Sequence, residues 1–410
     1  MIATKIRENI YWVGAIDWDL RSFHGYSTDK GSTYNAYLIL DEKITLIDNV
    51  KVGFTDELVQ RISSVIDPSK IEVIISNHGE PDHSGSLKHI LSLAPNAKVY
   101  SAHPNGVKIL NAQYGDDLPL IPVKNGDTLS IGKRTLQFVH APMVHWPDNM
   151  VTYIPEEKIL FSNDIFGQHL ATSKRFDGEV DLDLCLTEAK KYYANIVLPY
   201  TNQAFKIATV AKGLDIEMIA TSHGIIWRDH IPAIMELYEK MTTSNKQEKA
   251  VVVYDTMWGS TAKMAKSIAE GFAEAGVAVS VYNVNDTHAS DIITEVMNAK
   301  YIAVGSPTFN NTILPEMASF LCYLKGLSPI GMKYVSFGSY GWGGQSVKII
   351  DEELKTLSST SIIDVMDKKI IHLRQKPYYE NDNSILYLGD TSKLLPKIET
   401  NSIDMIFPPF

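Results

Sequence analysis

The stretch "ISNHGEPDHSGS" (residues 75–86) follows a short apolar run and contains four metal-ligand side chains in the order His78-x-Glu80-x-Asp82-His83. Imidazole and carboxylate groups at this spacing are typical of a two-metal site, in which a third histidine usually stands where this chain has Glu80. The stretch therefore predicts a metal-binding loop at the end of a strand. The extra carboxylate raises the question of which metal the loop binds.

Three further candidate ligands follow other apolar strands: His145 follows "LQFVHAPMV", Asp164 follows "KILFSN" and His223 follows "EMIATS". Because strand ends at one rim of a sheet sandwich converge, we expect all seven side chains to meet. They can hold two metals with about four protein ligands each if one carboxylate bridges. Three carboxylates in the set favour a hard, redox-capable ion such as iron.

Length and composition limit the class of protein. A chain of 410 residues is too long for one ordinary hydrophobic core, which predicts two or more domains. The formal net charge of −10 argues against a nucleic-acid-binding surface. No apolar run is long enough to span a bilayer, and "MIATKIRENIYW" lacks the apolar core of a signal peptide, so we expect a cytoplasmic protein. The two cysteines are far apart, which argues against a disulfide framework or a thiolate-bound iron centre.

The pattern of predicted elements changes near the middle of the chain. Residues 1–240 alternate short β-rich runs with loops and a few helical segments, and the polar stretch 241–250 is the predicted linker. After it, the apolar strand "AVVVYD" begins a series of strand-loop-helix units. Continuous apolar strands of this kind are expected in a parallel sheet buried on both faces, so the second half is predicted to be a doubly wound α/β domain.

Three loops of this second half are predicted to bind one ligand. "YDTMWGSTAKMA" (254–265) places hydroxyl groups and free backbone N–H groups at a helix start, which favours an anion cradle. "GSPTFNNTILP" and "GSYGWGGQS" follow the next strands. Ligands of an open α/β sheet bind outside the carboxyl ends of its strands, and the glycines and aromatic residues of these loops suit a flat ring.

Four segments of the first half carry a resemblance to a known family. The 78–83 run and the segments "MVHWPDNM", "FSNDIFGQH" and "TSHGIIWR" resemble the metallo-β-lactamase-like half of the flavodiiron proteins, also called A-type flavoproteins, and the match runs in order through residues 8–365. The resemblance implies a metallo-β-lactamase-like αβ/βα sandwich in residues 1–247 and a flavodoxin-like doubly wound parallel sheet that binds FMN in residues 248–366. Residues 367–410 are interpreted as an atypical C-terminal tail.

The resemblance also implies which residues bind the cofactors. One non-haem iron would be held by His78, Glu80 and His145, the other by Asp82, His83 and His223, with Asp164 as the bridge. The FMN phosphate loop would comprise Thr256, Met257, Trp258, Gly259, Ser260 and Thr261, in which Trp258 stands where flavodoxins often have threonine. The phosphate or ring would also contact Ser306, Pro307, Thr308 and Asn310, and the isoalloxazine would be lined by Ser339, Tyr340, Gly341, Trp342 and Gly343.

Family enzymes reduce dioxygen to water, nitric oxide to nitrous oxide, or both. Their diiron pocket is lined by residues that match His24 and Tyr193, which are candidates for hydrogen bonding or proton supply. The family assembles as a head-to-tail homodimer or a dimer of such dimers. The electron donor would be a separate protein or cofactor: rubredoxin, a flavin reductase or reduced deazaflavin.

Two alternatives stay open from the sequence: a metal-dependent hydrolase with an appended flavodoxin-like module, and an electron-transfer or binding protein with a degraded site. The tail sequence "ILYLGDTSKLLPKI" with "NSIDMIFPPF" resembles the opening of amino-methyltransferases that use a [DN]-P-P-[YFW] motif, although Phe407 replaces the acidic or amide residue. We interpret it as a gene-fusion or frameshift remnant, in which "SKLLPKI" supplies a closing helix.

Overall fold

The computed structural model describes residues 1–243 and 246–357, and beyond them only three short strands. The chain divides into two units, Met1–Thr243 and Ser244–Phe410. The domain boundaries at 247/248 and 366/367 stay predictions. The predicted closing helix "SKLLPKI" and the methyltransferase-like "NSIDMIFPPF" lie outside the described residues.

The first unit is built from two sheets. Its strands are β1 (Thr4–Arg7), β2 (Ile10–Trp12), β3 (Ala15–Asp17), β4 (Ser22–Phe23), β5 (Tyr26–Ser27), β6 (Ser32–Tyr34), β7 (Tyr37–Ile39), β8 (Thr45–Ile47), β9 (Val73–Ser76), β10 (Lys98–Ala102), β11 (Leu120–Val123), β12 (Thr128–Ser130), β13 (Thr135–His140), β14 (Met150–Ile154), β15 (Ile159–Asn163) and β16 (Met218–Thr221). One sheet has the order β1-β2-β7-β8-β9-β10-β11 and the other β12-β13-β14-β15-β16, while β3 pairs with β6 and β4 with β5.

Helices cover the outer faces of this sandwich. They are α1 (Thr55–Ser63), α2 (Pro81–Ser84), α3 (Leu87–Leu93), α4 (Asn105–Tyr114), α5 (Leu182–Tyr192), α6 (Thr201–Lys212) and α7 (Ile231–Thr242), with 3₁₀ turns at Val52–Phe54, Pro68–Lys70, Asp177–Glu179 and Leu198–Tyr200. A π-helical turn, Tyr193–Val197, directly follows α5. One apolar core fills the space between the sheets and a second lies between the seven-stranded sheet and its helices.

The second unit has the predicted doubly wound topology. Its strands are β17 (Gln247–Tyr254), β18 (Ala278–Asn283), β19 (Ala299–Gly305), β20 (Lys333–Phe337) and β21 (Thr360–Ser361), and its helices are α8 (Ser260–Glu274), α9 (Ala289–Val296), α10 (Pro315–Leu327) and α11 (Gln345–Lys355). The sheet order is β18-β17-β19-β20-β21 with every pair parallel. Two further strands, β22 (Tyr379–Asn381) and β23 (Ser384–Leu386), form an antiparallel pair.

The linker is shorter than the predicted stretch 241–250. Helix α7 extends to Thr242, and β17 begins at Gln247. Met241 is buried, and the Thr242 hydroxyl donates to the Tyr238 carbonyl, so packing extends the helix into a segment whose composition is polar. Among the described residues, no helix combines the length and apolar character needed to cross a membrane.

Candidate metal centre and flavin site

All seven predicted metal ligands lie just after strands of the first unit. His78 and Glu80 follow β9, whose four residues are all buried, and the one-turn helix α2 carries Asp82 and His83. His145 lies between β13 and β14, Asp164 directly follows β15, and His223 follows β16. The fold therefore brings together side chains that span about 145 positions of sequence, from 78 to 223. The seven side chains converge as predicted.

The side chains form two groups. In the first, Glu80 Oε2 lies 3.1 Å from Nε2 of both His78 and His145. In the second, Asp82 Oδ2 lies 3.2 Å from His223 Nε2 and 3.4 Å from His83 Nε2. Within each group the candidate ligand atoms all lie within 4.8 Å of one another. Metal–ligand bonds of about 2.0–2.2 Å place ligand atoms at most ~4.4 Å apart, so each group approaches the dimensions of one metal site.

Asp164 connects the two groups. Its Oδ2 lies 3.5 Å from His145 Nε2 and 3.7 Å from His78 Nε2. Its Oδ1 lies 3.0 Å from His83 Nε2 and 3.6 Å from His223 Nε2. Because one carboxylate oxygen faces each group, the geometry is that of a bridging ligand between two ions.

Several of these atoms are buried without a hydrogen-bond partner. They include both carboxylate oxygens of Asp82 and of Asp164 and both ring nitrogens of His83. The short contacts among them lack the alignment of hydrogen bonds, and buried polar groups without partners are costly unless an ion satisfies them. Mixed imidazole and carboxylate ligands suit iron. The residues present therefore fit a two-metal centre.

The electrostatics of the centre favour cations. Burial alone would raise the pKa of Asp164, but His83 and His78 outweigh it and hold that pKa well below its usual range. Burial lowers the pKa of His83, whereas Asp82 and Asp164 raise it, with a net value of about 9. Asp164 is thus ionised at neutral pH, and the ring protons of His83 supply balancing positive charge. Metal ions supply that charge when they displace these protons.

Groups around the ligands fix their orientation. His78 Nδ1 lies 3.1 Å from Asp148 Oδ1, and the Thr33 carbonyl accepts from His223 Nδ1 at 2.7 Å. Each contact keeps the proton on Nδ1 and leaves the Nε2 lone pair for a metal. His24 Nε2 lies 2.8 Å from Glu80 Oε1, the oxygen that faces away from the first group.

His24 reaches the centre on a hairpin of its own. It forms, with Gly25, the two-residue turn between β4 and β5, and both residues have positive φ, 51° and 80°. Positive φ at both positions is the requirement of a type I′ turn. The His24 side chain is 38% exposed. Among the seven predicted ligands, the His145 side chain is 11% exposed and the others are almost fully buried. This hairpin therefore forms part of the entrance to the metal centre.

Asp148 was not found from the sequence, and its role can be tested. It is fully buried and also accepts the Gly79 N–H at 2.6 Å. We expect Asp148→Asn to lower metal affinity roughly 10- to 100-fold, since loss of such an outer carboxylate weakens its histidine ligand. Metal titration of the stripped variant measures the effect. The exposed Asp116→Asn serves as the matched control, and unchanged affinity in Asp148→Asn would remove it from the support of His78.

The tyrosine that lies beside the predicted ligands is Tyr192, one position before the predicted Tyr193. The structure does not bring Tyr193 to the ligands: its hydroxyl donates to Thr201 at 3.2 Å, and its ring lies against Tyr238. Its neighbour Tyr192 is the one beside them, with its ring centroid 5.9 Å from that of His223. The physical reason is helical geometry, since consecutive side chains of a helix point about 100° apart.

His169, after Asp148 and Tyr192, is a third residue near the centre that was not predicted from the sequence. Its ring lies 4.6 Å from that of His223, and its Nδ1 lies 2.6 Å from Ser32 Oγ. Burial, followed by the nearby His223, lowers the pKa of His169 well below its ordinary value, so the imidazole is neutral. It stands five residues after Asp164, and no metal-ligand pattern of the sequence includes that position, so the sequence alone did not indicate it.

In the second unit, the three predicted loops come into contact. Thr261 Oγ1 lies 2.8 Å from Ser339 Oγ, and the Thr308 N–H donates to the Ser339 carbonyl at 2.8 Å. Helix α8 begins after Gly259, which has φ 84° and provides no side-chain cap. The helix N-terminus therefore keeps free N–H groups in the predicted phosphate loop, in which Gly259 N–H donates to Thr256 Oγ1 at 3.1 Å.

The remaining predicted flavin residues surround this cradle. Ser306 and Pro307 are buried after β19, and the Ser306 hydroxyl accepts the Leu314 N–H. The loops also present two almost fully exposed indoles, Trp258 at 86% and Trp342 at 85%. The others are partly buried or exposed beside them: Met257, Ser260, Asn310, Tyr340, Gly341 and Gly343. Their contacts with a flavin stay predictions.

Comparison with known proteins agrees with both units. A family model described as ODP family beta lactamase matches residues 33–224, and a flavodoxin model matches residues 252–376. The nitric oxide reductase of Moorella thermoacetica is 45% identical over 85% of this chain and 89% of its own. The rubredoxin-oxygen oxidoreductase of Megalodesulfovibrio gigas is 42% identical over 86% and 89%.

Solved structures give the same result. Rubredoxin oxygen:oxidoreductase from Desulfovibrio gigas has a TM-score of 0.85 at 41% identity and covers 88% of this chain and 91% of its own. The flavodiiron protein from Giardia intestinalis has a TM-score of 0.84 at 36% identity, with the same coverage.

The fold and the site define a two-domain oxidoreductase that combines a flavin with a metal centre. The chain belongs to the flavodiiron proteins. Its cofactors are FMN and a non-haem diiron centre, as the sequence predicted. The hydrolase alternative is not supported, because the similar proteins are oxidoreductases across most of the chain.

Proposed function

We propose that this protein reduces dioxygen to water, nitric oxide to nitrous oxide, or both, at a diiron centre held by the seven predicted ligands. Its relatives are named as a nitric oxide reductase and a rubredoxin-oxygen oxidoreductase, which supports both gases as substrates. The observation on which the assignment depends is Asp164, whose two oxygens face different ligand groups. His78, Glu80 and His145 would hold one iron, and Asp82, His83 and His223 the other.

When bound, the two irons and FMN supply up to four electrons, which matches the four needed to reduce one dioxygen to two waters. The protein itself positions the ligand side chains and controls access to the metal centre. Asp148 and the Thr33 carbonyl fix two of the imidazoles, and His24 holds Glu80 at the partly exposed entrance. The role of His24 in proton supply stays a prediction.

The partners are proposed from the family. The electron donor is a separate molecule, either rubredoxin, a flavin reductase or reduced deazaflavin, and a rubredoxin donor is supported by the name of one relative. We propose a head-to-tail homodimer, or a dimer of such dimers, in which one chain's FMN serves its partner's irons. Exposed Trp258 and Trp342 beside the cradle support a protein contact there, since large aromatic side chains are enriched at interface cores. The cytoplasmic location stays a prediction.

The experiment that tests the function is direct. Holoprotein would be analysed for iron and FMN, reduced without air, and mixed in parallel with dioxygen or nitric oxide. We expect reoxidation of the flavin with consumption of at least one gas, and comparison of the two rates gives the preference. Stoichiometric iron and flavin with no reaction toward either gas would contradict the proposal.

The phosphate loop can be tested separately. We expect the double variant Thr256→Ala, Thr261→Ala to purify with less FMN and with normal iron, because it removes two hydroxyls beside the uncapped start of α8. Flavin absorbance and iron analysis give the two readouts. Thr356→Ala, an exposed change at the C-terminal end of α11, is the control. Wild-type flavin content in the double variant would place the phosphate elsewhere.

A further inference from the structure

The β4–β5 hairpin carries His24 to the metal centre but has little structure of its own. Each of its strands has two residues, and Ser22 pairs with Ser27 at the base. A two-stranded hairpin on its own is marginally stable at best in water. The distance of 2.8 Å from His24 Nε2 to Glu80 Oε1 therefore depends on what fixes the hairpin to the rest of the first unit.

Aromatic packing holds one face of the hairpin. The Phe23 and Tyr26 rings lie 5.1 and 5.4 Å from the ring of His169, and Tyr26 is 1% exposed. Hydrophobic packing is non-directional, so these contacts keep the hairpin on the protein without fixing its exact position. A directional contact is needed to fix the turn that carries His24.

A buried lysine supplies a directional contact at the base of the hairpin. Lys191, in the last turn of α5, is 8% exposed, and its Nζ donates to Ser27 Oγ at 2.8 Å. Asp29 Oδ2 lies 3.6 Å from the same nitrogen. Lysine side chains are almost never fully buried unless they are paired. This ammonium group therefore joins α5 to the second strand of the hairpin and to the residues that follow it.

The end of α5 is itself fixed beside the predicted ligands. The ring of Tyr192 lies 5.1 Å from that of His169 and 5.9 Å from that of His223, and Tyr192 is 1% exposed. The Lys191 carbonyl accepts a hydrogen bond from Asn195 Nδ2 at 2.8 Å. The backbone of Lys191 thus belongs to a well-packed support, while its side chain contacts the hairpin.

We propose that Lys191 is a positioning residue for His24: it holds the hairpin through Ser27, so that the imidazole stays on Glu80 at the entrance to the metal centre. Lys191 acts through the hairpin and not on the reacting atoms. The inference goes beyond the proposed function, because the hold on the hairpin can be measured without turnover. Only its kinetic test rests on the proposed function.

Amide hydrogen exchange of the holoprotein measures the hairpin directly. Lys191→Met keeps an unbranched side chain and removes the charge, and Ser27→Ala removes the acceptor. In either variant we expect exchange in residues 22–28 to be about tenfold faster, because a hydrogen bond to a charged group is among the stronger ones. Iron, FMN and exchange in α5 should be unchanged. Lys212→Met, in the last turn of α6 with a side chain that is 68% exposed, is the control.

Unchanged exchange in the hairpin of both variants would overturn the proposal. Faster exchange throughout α5, or loss of iron, would show that Lys191 supports the helix instead, which also contradicts it. The double variant Lys191→Met, Ser27→Ala should resemble either single variant, because all three lack the same hydrogen bond. Additive effects would mean that the two side chains act separately.

A double-mutant cycle connects the hairpin to the reaction. If Lys191 acts through His24, Lys191→Met lowers the rate of gas reduction several-fold in the wild-type background and has no further effect in His24→Ala. Equal loss in both backgrounds would overturn the role in positioning His24. If His24→Ala itself leaves the rate unchanged, the proposed part of His24 in the reaction fails, whereas the exchange result still decides whether Lys191 fixes the hairpin.

Discussion

Asp164→Asn is expected to lose both irons while the flavin domain keeps its FMN. The substitution preserves size and removes the one negative charge that faces both ligand groups, with an oxygen 3.0 Å from His83 Nε2 on one side and 3.5 Å from His145 Nε2 on the other. A carboxylate between two cations neutralises charge that an amide cannot. Since even outer-sphere changes cost 10- to 100-fold in affinity, we expect a loss of at least about 100-fold in iron affinity and in gas reduction.

Iron analysis, flavin absorbance and gas consumption measure this prediction together. Asp183→Asn, an exposed change in the first turn of α5, is the matched control and should behave as the wild type. If Asp164→Asn kept two irons and full turnover, Asp164 could not be the bridge. Loss of FMN along with the iron would point instead to general unfolding.

Two inactive variants are expected to restore activity when mixed. One lacks iron through His83→Ala and His223→Ala, and the other carries the Thr256 and Thr261 changes and is stripped of its remaining FMN. With head-to-tail transfer, random exchange makes half of the dimers mixed, and each mixed dimer has one working flavin-to-iron pair of two, so about a quarter of the wild-type rate should return.

Trp342 refines this test. It is 85% exposed beside the cradle, so we expect Trp342→Ala in the flavin-containing partner to lower the recovered rate. Lys348→Ala, an exposed change on α11, is the control. Subunit exchange must be shown independently, for instance by mass tags. Exchange without any recovery of rate would count against transfer between chains.

The convergence of the seven candidate ligands was predictable from the sequence because each follows a short apolar strand. β9 and β15 are buried at every position, and such strands direct the residues after them to the rim of a sandwich. The partition into two groups of ligands came from the family resemblance. In the structure the side chains fall into the same two groups, with one oxygen of Asp164 towards each, and their binding of iron stays a prediction.

The residues that support the ligands were harder to find. Asp148 stands three positions after His145 in a polar loop, where an aspartate normally faces solvent, and only the fold shows that it is buried against His78. The sequence alone does not indicate whether Tyr192 or Tyr193 lies beside the predicted ligands. The α-helix gives way to a π-helical turn at Tyr193, so the register of the pair depends on tertiary packing.

The β4–β5 hairpin has a consequence for how such an enzyme diversifies. The seven ligands belong to loops of the two main sheets, whereas His24 belongs to a two-stranded ribbon outside them. Residues of this ribbon can be exchanged, or its turn lengthened, without moving a strand that precedes a ligand. We therefore expect selection for a new substrate to act first on this ribbon, as an adjustable rim around an inherited reaction centre.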